Sequence, residues 1–396
     1  MNMNEQMKES EESILHTYNR FPVVFEKGQG CYLYDSEGKE YLDFAAGIAV
    51  NSLGYHYPGY DEALKDQIDK LMHISNLYYN EPIIEAGAKL VKASKMSKAF
   101  FTNSGTEAIE GALKAAKKYA YVRDGHADHE IIAMNHSFHG RSIGALSVTG
   151  TAHYREPFEP LMGGVKFADF NDLESVKAQI TDKTCAIITE VVQGEGGIYP
   201  AKKEFLEGLR QICDEKDIML IFDEIQCGMG RTGHYFAWQA YGVQPDIMTS
   251  AKALGCGVPV GAFVLSEKAA KASLEPGDHG TTYGGNPFVC AAVSKVFDIY
   301  ENDKIIEHVQ EMTPYLEQKL DEIVAKHECA ATRRGMGFMQ GIVIQGRPVG
   351  EVVKAALAKG LLVISAGSDV LRIVSPLVIT KEHIDKMAAI LDECME

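Results

Sequence analysis

The sequence predicts an α/β protein in which a large domain, with a mostly parallel central sheet covered by helices, is joined to a small α+β domain. Between residues 58 and 285, helical stretches alternate with short, continuous apolar runs, a pattern typical of strands buried on both faces. The segment 22–43 alternates short β-prone runs with turn signals, which indicates an antiparallel meander. Helix-like and apolar segments also alternate after residue 286, so we expect both ends of the chain to build the small domain.

The predicted elements can be placed in order along the chain. The first 15 residues are polar and are expected to be frayed. Strands of the large domain are expected at "AFFTN", "EIIAM", "CAIITEVV", "IMLIFDE", "DIMTS" and "GAFVLS". Beyond them, helices are expected near 288–300, 304–327, 348–359 and 381–394, and strands at "FMQGIVI", "LLVIS" and "LRIVS". The predicted small domain is therefore residues 1–57 with 286–396, and the large domain is residues 58–285.

Composition limits the classes of function. The 396 residues carry a net charge of -16, which argues against nucleic acid as a partner because phosphate binding needs clustered cations. No signal peptide and no run of 18 apolar residues is found, so we expect no membrane span. Eight cysteines without a C-x-x-C pair argue against zinc and a disulfide framework, and they favour a reduced, cytoplasmic compartment.

Polar residues follow two of the predicted strands, at the sheet edge where open α/β proteins bind ligands. The apolar run 218–222 ends in Asp223, whose carboxylate needs a cationic partner there. A salt bridge to Arg231 or another base is the simpler alternative. The run 190–197, "EVVQGEGG", follows another strand; Glu190 and Glu195 could be paired acids, or the glycine-flanked loop could be only a turn.

A second kind of site is indicated where the strand "AFFTN" leads into Ser104, Gly105 and Thr106 and then into a helix. Free N–H groups at such a helix start, beside hydroxyls and a glycine, suit a phosphate group. The alternative is a plain N-cap, since serine and threonine are good caps in any helix.

The segment 135–142, "NHSFHGRS", follows the strand "EIIAM". Phe138 could stack on a planar ring, and Arg141 could bind a carboxylate with two parallel hydrogen bonds. Several histidines lie nearby, so a metal site has to be weighed. We expect no metal, because the histidines fall in a loop and no carboxylate–histidine spacing recurs.

Lys252 is the residue that connects these loops. It follows the strand "DIMTS" among small side chains, in "SAKALGCGVP". Burial lowers the pKa of an amine, and such a lysine can act as a nucleophile that forms a Schiff base. A phosphate cradle, a stacking aromatic, an acid for a ring nitrogen and a lysine for an aldehyde together meet the needs of pyridoxal 5′-phosphate.

In these residues and in the motifs around them, the chain resembles the class III pyridoxal-phosphate aminotransferases of fold type I, from about residue 18 to the end. The motifs that carry the resemblance occur in family order: "NSGTEA", "FHGR", "E-x-x-Q-G-E-G-G", "DE-x-Q-x-G-x-GRTG", "AKALG-x-G-x-P-x-GA" and "GTTYGGNP". Within the family the chain is most similar to acetylornithine aminotransferases. Ornithine aminotransferases usually have a tyrosine where this chain has Gly47, which makes unmodified ornithine a less expected donor.

The resemblance implies a role for each site residue. Lys252 would bind the cofactor aldehyde and move a proton between the substrate Cα and the cofactor, and Asp223 would pair with the pyridine nitrogen. Arg372 would bind the α-carboxylate, Glu195 would pair with Arg372 when a substrate lacks that group, and Arg141 would bind a second carboxylate. The remaining cofactor contacts implied are Ser104, Gly105 and Thr106 to phosphate, Phe138 and Ile225 on the two faces of the ring, Gln226 to the ring 3-oxygen, His139, and Thr282 to the phosphate of the neighbouring subunit.

The resemblance therefore implies a homodimer with active sites at its interface. It also implies the reaction of N-acetylornithine with 2-oxoglutarate, giving N-acetylglutamate 5-semialdehyde and glutamate, as in arginine biosynthesis. The alternatives within the family are succinylornithine, γ-aminobutyrate, ornithine or putrescine as the donor. A more distant alternative is a glutamate-1-semialdehyde aminomutase, which would use the same cofactor residues without 2-oxoglutarate.

Overall fold

The strands form a central sheet and three smaller ones. In the computed structural model, which describes residues 2–396, the strands are β1 Phe25–Gln29, β2 Tyr32–Asp35, β3 Glu40–Asp43, β4 Lys98–Thr102, β5 Glu130–Met134, β6 Val165–Ala168, β7 Thr184–Glu190, β8 Val192–Gln193, β9 Tyr199–Pro200, β10 Met219–Asp223, β11 Ile247–Ser250, β12 Gly261–Leu265, β13 Ala330–Met336, β14 Met339–Ile344, β15 Leu361–Leu362, β16 Ile364–Ala366 and β17 Val370–Ile373.

The central sheet has the strand order β4-β12-β11-β10-β7-β5-β6. Strands β11, β10, β7, β5 and β6 run parallel, and β12 is antiparallel to both of its neighbours. All residues of β7 and β10 are buried, as expected for strands with helices on both faces. The predicted mostly parallel sheet is confirmed. Only β6 has no counterpart among the predicted strands, because its "VKFA" is short, is interrupted by a lysine and has only one fully buried residue.

Helices cover both faces of the sheet and connect its strands. Helices of five residues or more are Met3–Ser13, Tyr60–Lys70, Glu81–Ser94, Gly105–Asp124, Ile143–Ser147, Leu173–Gln179, Lys203–Lys216, Glu267–Lys271, Pro287–Asn302, Ile305–Lys326, Val349–Ala358 and Lys381–Met395. The last four agree with the helices predicted after residue 286. The helix Gly105–Asp124 buries the predicted apolar face, which contains Ile109, Ala112, Leu113, Ala116 and Ala120.

The polar N-terminus differs from its prediction. Instead of a frayed segment, Met3–Ser13 is a helix whose residues are all at least partly exposed. A reciprocal pair of hydrogen bonds between Asn2 and Glu5 caps its first turn. This capping box satisfies backbone donors that would otherwise be unpaired, so the helix begins at a sharp boundary although it buries no residue.

The two ends of the chain meet in one sheet. Strands β1, β2 and β3 form the predicted antiparallel meander, and β15, from the other end of the chain, pairs with β3 in parallel. A second sheet, β13-β14-β17-β16, comes wholly from the C-terminal part. The helix Pro287–Asn302 packs against Tyr60–Lys70 and Glu81–Ser94, so it links the two predicted domains, and the boundary near residue 285 stays a prediction. Within residues 2–396, no helix combines the length and apolar character that a membrane span requires.

Candidate active site

A cavity of roughly 490 Å³ opens at the carboxyl ends of β7, β10 and β11. The loops that follow β4 and β5 complete its wall, so five loops that are far apart in sequence converge at one edge of the sheet. Eleven of the predicted site residues line this cavity: Ser104, Gly105, Thr106, Phe138, His139, Arg141, Glu195, Asp223, Ile225, Gln226 and Lys252.

Asp223 is the last residue of β10 and is buried at the floor of the cavity. Its Oδ2 lies 2.7 Å from His139 Nδ1, and its Oδ1 accepts hydrogen bonds from the Ile225 amide at 3.0 Å and the Thr249 hydroxyl at 3.2 Å. The alternative partner, Arg231, points elsewhere, since its guanidinium donates to backbone carbonyls of the C-terminal part. A buried carboxylate held this firmly can face a cationic ligand atom without moving.

The helix Gly105–Asp124 begins at the cavity wall. Ser104 caps the helix by accepting a hydrogen bond from the Glu107 amide at 3.3 Å, and the Thr106 hydroxyl lies 2.8 Å from that of Ser142. A Cβ on Gly105 would lie 2.9 Å from Ile225 Cδ1, so only glycine lets the helix start approach so closely. The start is therefore both a capped helix end and a concave site with free N–H groups that suits an anion.

Lys252 opens a single 3-10 turn, Lys252–Leu254, directly after β11. It has a positive φ of 48°, a conformation that costs free energy in a residue other than glycine and is concentrated at functional sites. Burial, together with the positive charge of Arg372, lowers the pKa of Lys252 to about 8. Among residues 2–396, no carboxylate lies within 4.0 Å of its ammonium group. With a pKa of about 8, about a tenth of this lysine is an uncharged amine at pH 7.

Glu195 lines one side of the cavity and forms an ion pair with Arg372, which does not line it; Oε1 and Nη1 are 2.5 Å apart. Arg372 Nη1 also donates to Gln226 Oε1 at 3.2 Å. Burial alone would raise the pKa of Glu195, but the adjacent Arg372 outweighs it and leaves the pKa below its usual value. Arg372 lies behind Glu195, so an incoming carboxylate can reach this arginine only after Glu195 moves.

Arg141 presents a second, different cation. Its guanidinium stacks 3.9 Å from the centre of the Tyr154 ring and 5.3 Å from that of Phe138, and the side chain is exposed. In the part of the chain that the structure describes, Arg141 has no carboxylate within 4.0 Å. The site therefore has two arginines: Arg372, which is already paired with Glu195, and Arg141, which lines the cavity and is available to an anion.

The family Aminotransferase class-III matches residues 14–395. The chain is a class III aminotransferase. Among curated relatives it is 47% identical to the acetylornithine aminotransferase of Clostridium acetobutylicum, over 98% of this chain and 100% of that one. It is 44% identical to the succinylornithine transaminase of Yersinia pseudotuberculosis, over 94% and 92% of the two chains. Its structure resembles the ornithine aminotransferase of Toxoplasma gondii with a TM-score of 0.95 and 28% identity, covering 100% and 95% of the two chains.

Family membership settles the fold as type I and the cofactor as pyridoxal 5′-phosphate, and the cavity of this aminotransferase fits that cofactor. The helix start at Gly105 offers N–H donors to a phosphate, and Phe138 and Ile225 supply apolar walls for a planar ring. Asp223 offers a carboxylate to a ring nitrogen. Within residues 2–396, His139 Nε2 is a buried atom without a hydrogen-bond partner, and no carboxylate lies within 4.0 Å of the Lys252 amine.

Glu190, for which the sequence left two interpretations open, also lines the cavity. It was weighed as a partner of Glu195, but it lies beside Asp223, its register neighbour on the adjacent strand. It accepts hydrogen bonds from the amides of Gly194 at 3.2 Å and Phe138 at 3.4 Å. Burial and the negative charge of Asp223 raise the pKa of Glu190 well above its usual value. Two adjacent buried carboxyls rarely both ionise, so Glu190 is a neutral brace between two loops of the aminotransferase.

Two predicted site residues, Thr282 and Arg372, do not line the cavity. Thr282 is exposed, as is its neighbour Tyr283.

Within residues 2–396, one group of potential metal ligands comprises Asp124, His126 and His129. It lies outside the cavity, the two imidazole rings stack with only 12° between their planes, and Arg123 already binds Asp124. The expectation of no metal in the active site stays a prediction.

Proposed function

We propose that this aminotransferase moves the terminal amino group of N-acetylornithine to 2-oxoglutarate, giving N-acetylglutamate 5-semialdehyde and glutamate. Curated relatives with the name acetylornithine aminotransferase, 44–48% identical to this chain, support the choice of donor. The observation that carries the proposal is the pairing of Glu195 with Arg372, because it leaves Arg141 as the arginine available to the carboxylate of a donor that reacts at its far end.

The cofactor chemistry would be supplied by pyridoxal 5′-phosphate, whose aldehyde condenses with amines and whose ring withdraws electrons from the substrate carbon that loses a proton. The Lys252 amine would hold that aldehyde and, once a substrate amine takes its place, would carry the proton on Nζ. A pKa of about 8 suits both tasks, since an acid–base group works best when its pKa is near the working pH. Asp223 would keep the ring nitrogen protonated, and His139 would hold Asp223 in place.

The donor half of the reaction needs the ω-amine, not the α-amine, at Lys252. With Arg372 neutralised by Glu195, the α-carboxylate of the donor would be drawn to the unpaired guanidinium of Arg141. The extended chain would then place its terminal amine near Lys252. The guanidinium of Arg141 lies 3.9 Å from the centre of the Tyr154 ring. Such a contact limits its orientations, which favours two parallel hydrogen bonds to a carboxylate.

The acceptor half needs the opposite arrangement. In 2-oxoglutarate the reacting carbon is next to a carboxylate, so that carboxylate would have to reach Arg372. Glu195 would swing away, and its released charge is tolerated because the side chain is partly exposed. Arg141 would bind the distal carboxylate. One cavity would thus accept two substrates through the movement of a single side chain.

The same proposal includes a cytoplasmic homodimer with shared active sites. Large apolar side chains are exposed on one segment and on the loop of Thr282: Leu77, Tyr78, Tyr79 and Tyr283. Large exposed apolar side chains that form one patch are typical of a protein interface. If it binds a second copy, Thr282 would reach the phosphate in the neighbouring cavity.

The decisive experiment is a half-reaction series with the purified, cofactor-loaded protein. N-acetylornithine, succinylornithine, ornithine, γ-aminobutyrate and putrescine are mixed separately, and the change in cofactor absorbance is followed. Fastest conversion with N-acetylornithine is the expected result. Preference for succinylornithine or for an amine without an α-carboxylate would overturn the donor proposal while leaving the aminotransferase assignment intact. Conversion of glutamate-1-semialdehyde without 2-oxoglutarate would support the aminomutase alternative.

A further inference from the structure

The loop that carries Glu195 is held from outside the large sheet by Arg334. Glu195 lies between Gly194 and Gly196, the most permissive backbone neighbours a residue can have. Two hydrogen bonds from the C-terminal part nevertheless hold carbonyl groups of this loop. The Gly367 amide donates to the Glu195 carbonyl at 2.9 Å, and Arg334 Nε donates to the Gly197 carbonyl at 2.7 Å.

Arg334 has no conventional partner for a cation. In residues 2–396, no carboxylate lies within 4.0 Å of its guanidinium. Instead the guanidinium stacks 3.6 Å from the centre of the Tyr199 ring, just beyond the loop. A planar cation on a ring face has a fixed orientation, so Tyr199 aims the Arg334 N–H at the loop carbonyl.

The two hydrogen bonds from Gly367 and Arg334 clamp the loop, and the backbone at Gly197 and Ile198 is strained there. Gly197 has a φ of 116°, and the next residue, Ile198, has a φ of 59° and is fully buried. A β-branched residue in the left-handed region is a genuine outlier, and such a conformation persists only when surrounding contacts impose it. Ile198 packs against Gly341, the register partner of Arg334 on β14. The β13–β14 hairpin therefore imposes the loop conformation.

We propose that Arg334 is a positioning residue that determines how firmly Glu195 stays paired with Arg372. It would thereby set the preference for ω-amines over α-amino acids. The inference rests on the proposed function, because it assumes that Glu195 leaves Arg372 for α-carboxylates. With the loop clamped, only the Glu195 side chain moves between the two half-reactions. Without the clamp, the whole loop can retreat, Arg372 is exposed more often, and the α-carboxylate of glutamate gains access at the expense of the donor.

The test compares Arg334→Gln with Arg333→Gln in the cofactor-loaded protein. Arg333 is a matched control: it is the adjacent arginine, and it pairs with Asp321 and Glu317 away from the loop. The ratio of kcat/KM for N-acetylornithine to that for glutamate should fall about ten-fold in Arg334→Gln, the size expected for one lost hydrogen bond from a charged donor. The donor KM should rise while the glutamate KM falls. Arg333→Gln should keep the ratio within about two-fold, as usual for surface pairs.

Two further measurements separate this role from a general loss of structure. In a Glu195→Gln background the Arg334→Gln change should no longer alter the ratio, because the Glu195–Arg372 ion pair is already lost. Hydrogen exchange of the segment 194–199 should accelerate in Arg334→Gln and not in Arg333→Gln. Equal losses for both substrates, an unchanged effect in the Glu195→Gln background, or unchanged exchange would each overturn the proposal. A wild-type protein that rejects N-acetylornithine would instead overturn the proposed donor.

Discussion

At the scale of single residues, the chemistry depends on how burial changes the character of charged groups. Glu190 is buried and Lys252 is half-buried in the cavity wall, and removal from water favours the uncharged form of each. Asp223 is held in place by the His139 ring, the Ile225 amide and the Thr249 hydroxyl. The cavity thus combines an amine of lowered pKa and an acid of raised pKa within one small volume, and each shift has a structural cause.

The pH dependence of cofactor capture tests the state of Lys252. Only the uncharged amine attacks an aldehyde, so the capture rate should rise with pH and level off above the pKa. Since the native pKa is lowered to about 8, about one tenth of the amine is uncharged at pH 7 and about half at pH 8. The rate of pyridoxal 5′-phosphate capture by the cofactor-free protein, followed by absorbance from pH 6.5 to 9.5, should show its midpoint near 8.

Arg372 provides the control for this midpoint. Its positive charge is the second cause of the lowered pKa, so Arg372→Gln should move the midpoint of capture to higher pH. A wild-type midpoint near the ordinary lysine value of about 10.4 would show that burial does not act on this amine as described.

At the scale of elements, the helix Gly105–Asp124 shows how close packing aligns the site. Its apolar face is set by residue spacing, but its distance from the sheet is set by one glycine. A Cβ on Gly111 would lie 2.2 Å from the Phe263 ring of β12. The helix start can therefore reach the cavity only while this position has no side chain.

Gly111→Ala should destabilise the protein by about 1–3 kcal/mol, the usual cost of overpacking a core, although alanine is the better helix former. Gly350→Ala is the matched control, since that helical glycine is exposed and has no atom within 4 Å of the added Cβ; we expect it to be neutral or to stabilise by up to about 1 kcal/mol. Chemical unfolding of the cofactor-free proteins measures both. Equal effects of the two changes would contradict the close approach of helix and sheet.

At the scale of the whole molecule, the site is assembled from distant parts of the chain. Arg372 on β17 and Glu195 after β7 meet across the junction of the predicted domains. Thr282, in contrast, is exposed and does not line the cavity of its own chain. The predicted set of phosphate contacts is complete in a dimer if Thr282 of each subunit reaches the cavity of the other.

Hybrid dimers test the sharing of sites. Lys252→Ala should be inactive, and Thr282→Ala should bind the cofactor weakly. Co-expressed, the two would form hybrids in which one site has both changes and the other has neither, if Thr282 acts across the interface. About a quarter of all sites should then have wild-type activity at limiting cofactor, given random pairing of a two-fold symmetric dimer. Activity no higher than that of the Thr282→Ala protein alone would place Thr282 within its own subunit or outside the site.

The sequence by itself determined the parts of this protein that local pattern encodes. Continuous apolar runs predicted six of the seven central strands, and spacing predicted the buried face of the helix Gly105–Asp124. Strand ends followed by polar residues predicted Asp223 and Lys252, because residues at the carboxyl ends of parallel strands must share one edge.

Only the tertiary structure decided which of these residues meet. Nothing in the spacing distinguishes Arg231 from His139 as the partner of Asp223; the loop after β5 brings the histidine there, while the arginine turns to C-terminal carbonyls. Glu190 became a neutral brace because strand register places it beside Asp223, and Arg334 reaches the Glu195 loop from a hairpin 137 residues away. The local sequence pattern determines which face of a helix is buried and which residues lie at the sheet edge. The pairing of side chains from different elements depends on packing distances that no short sequence segment encodes.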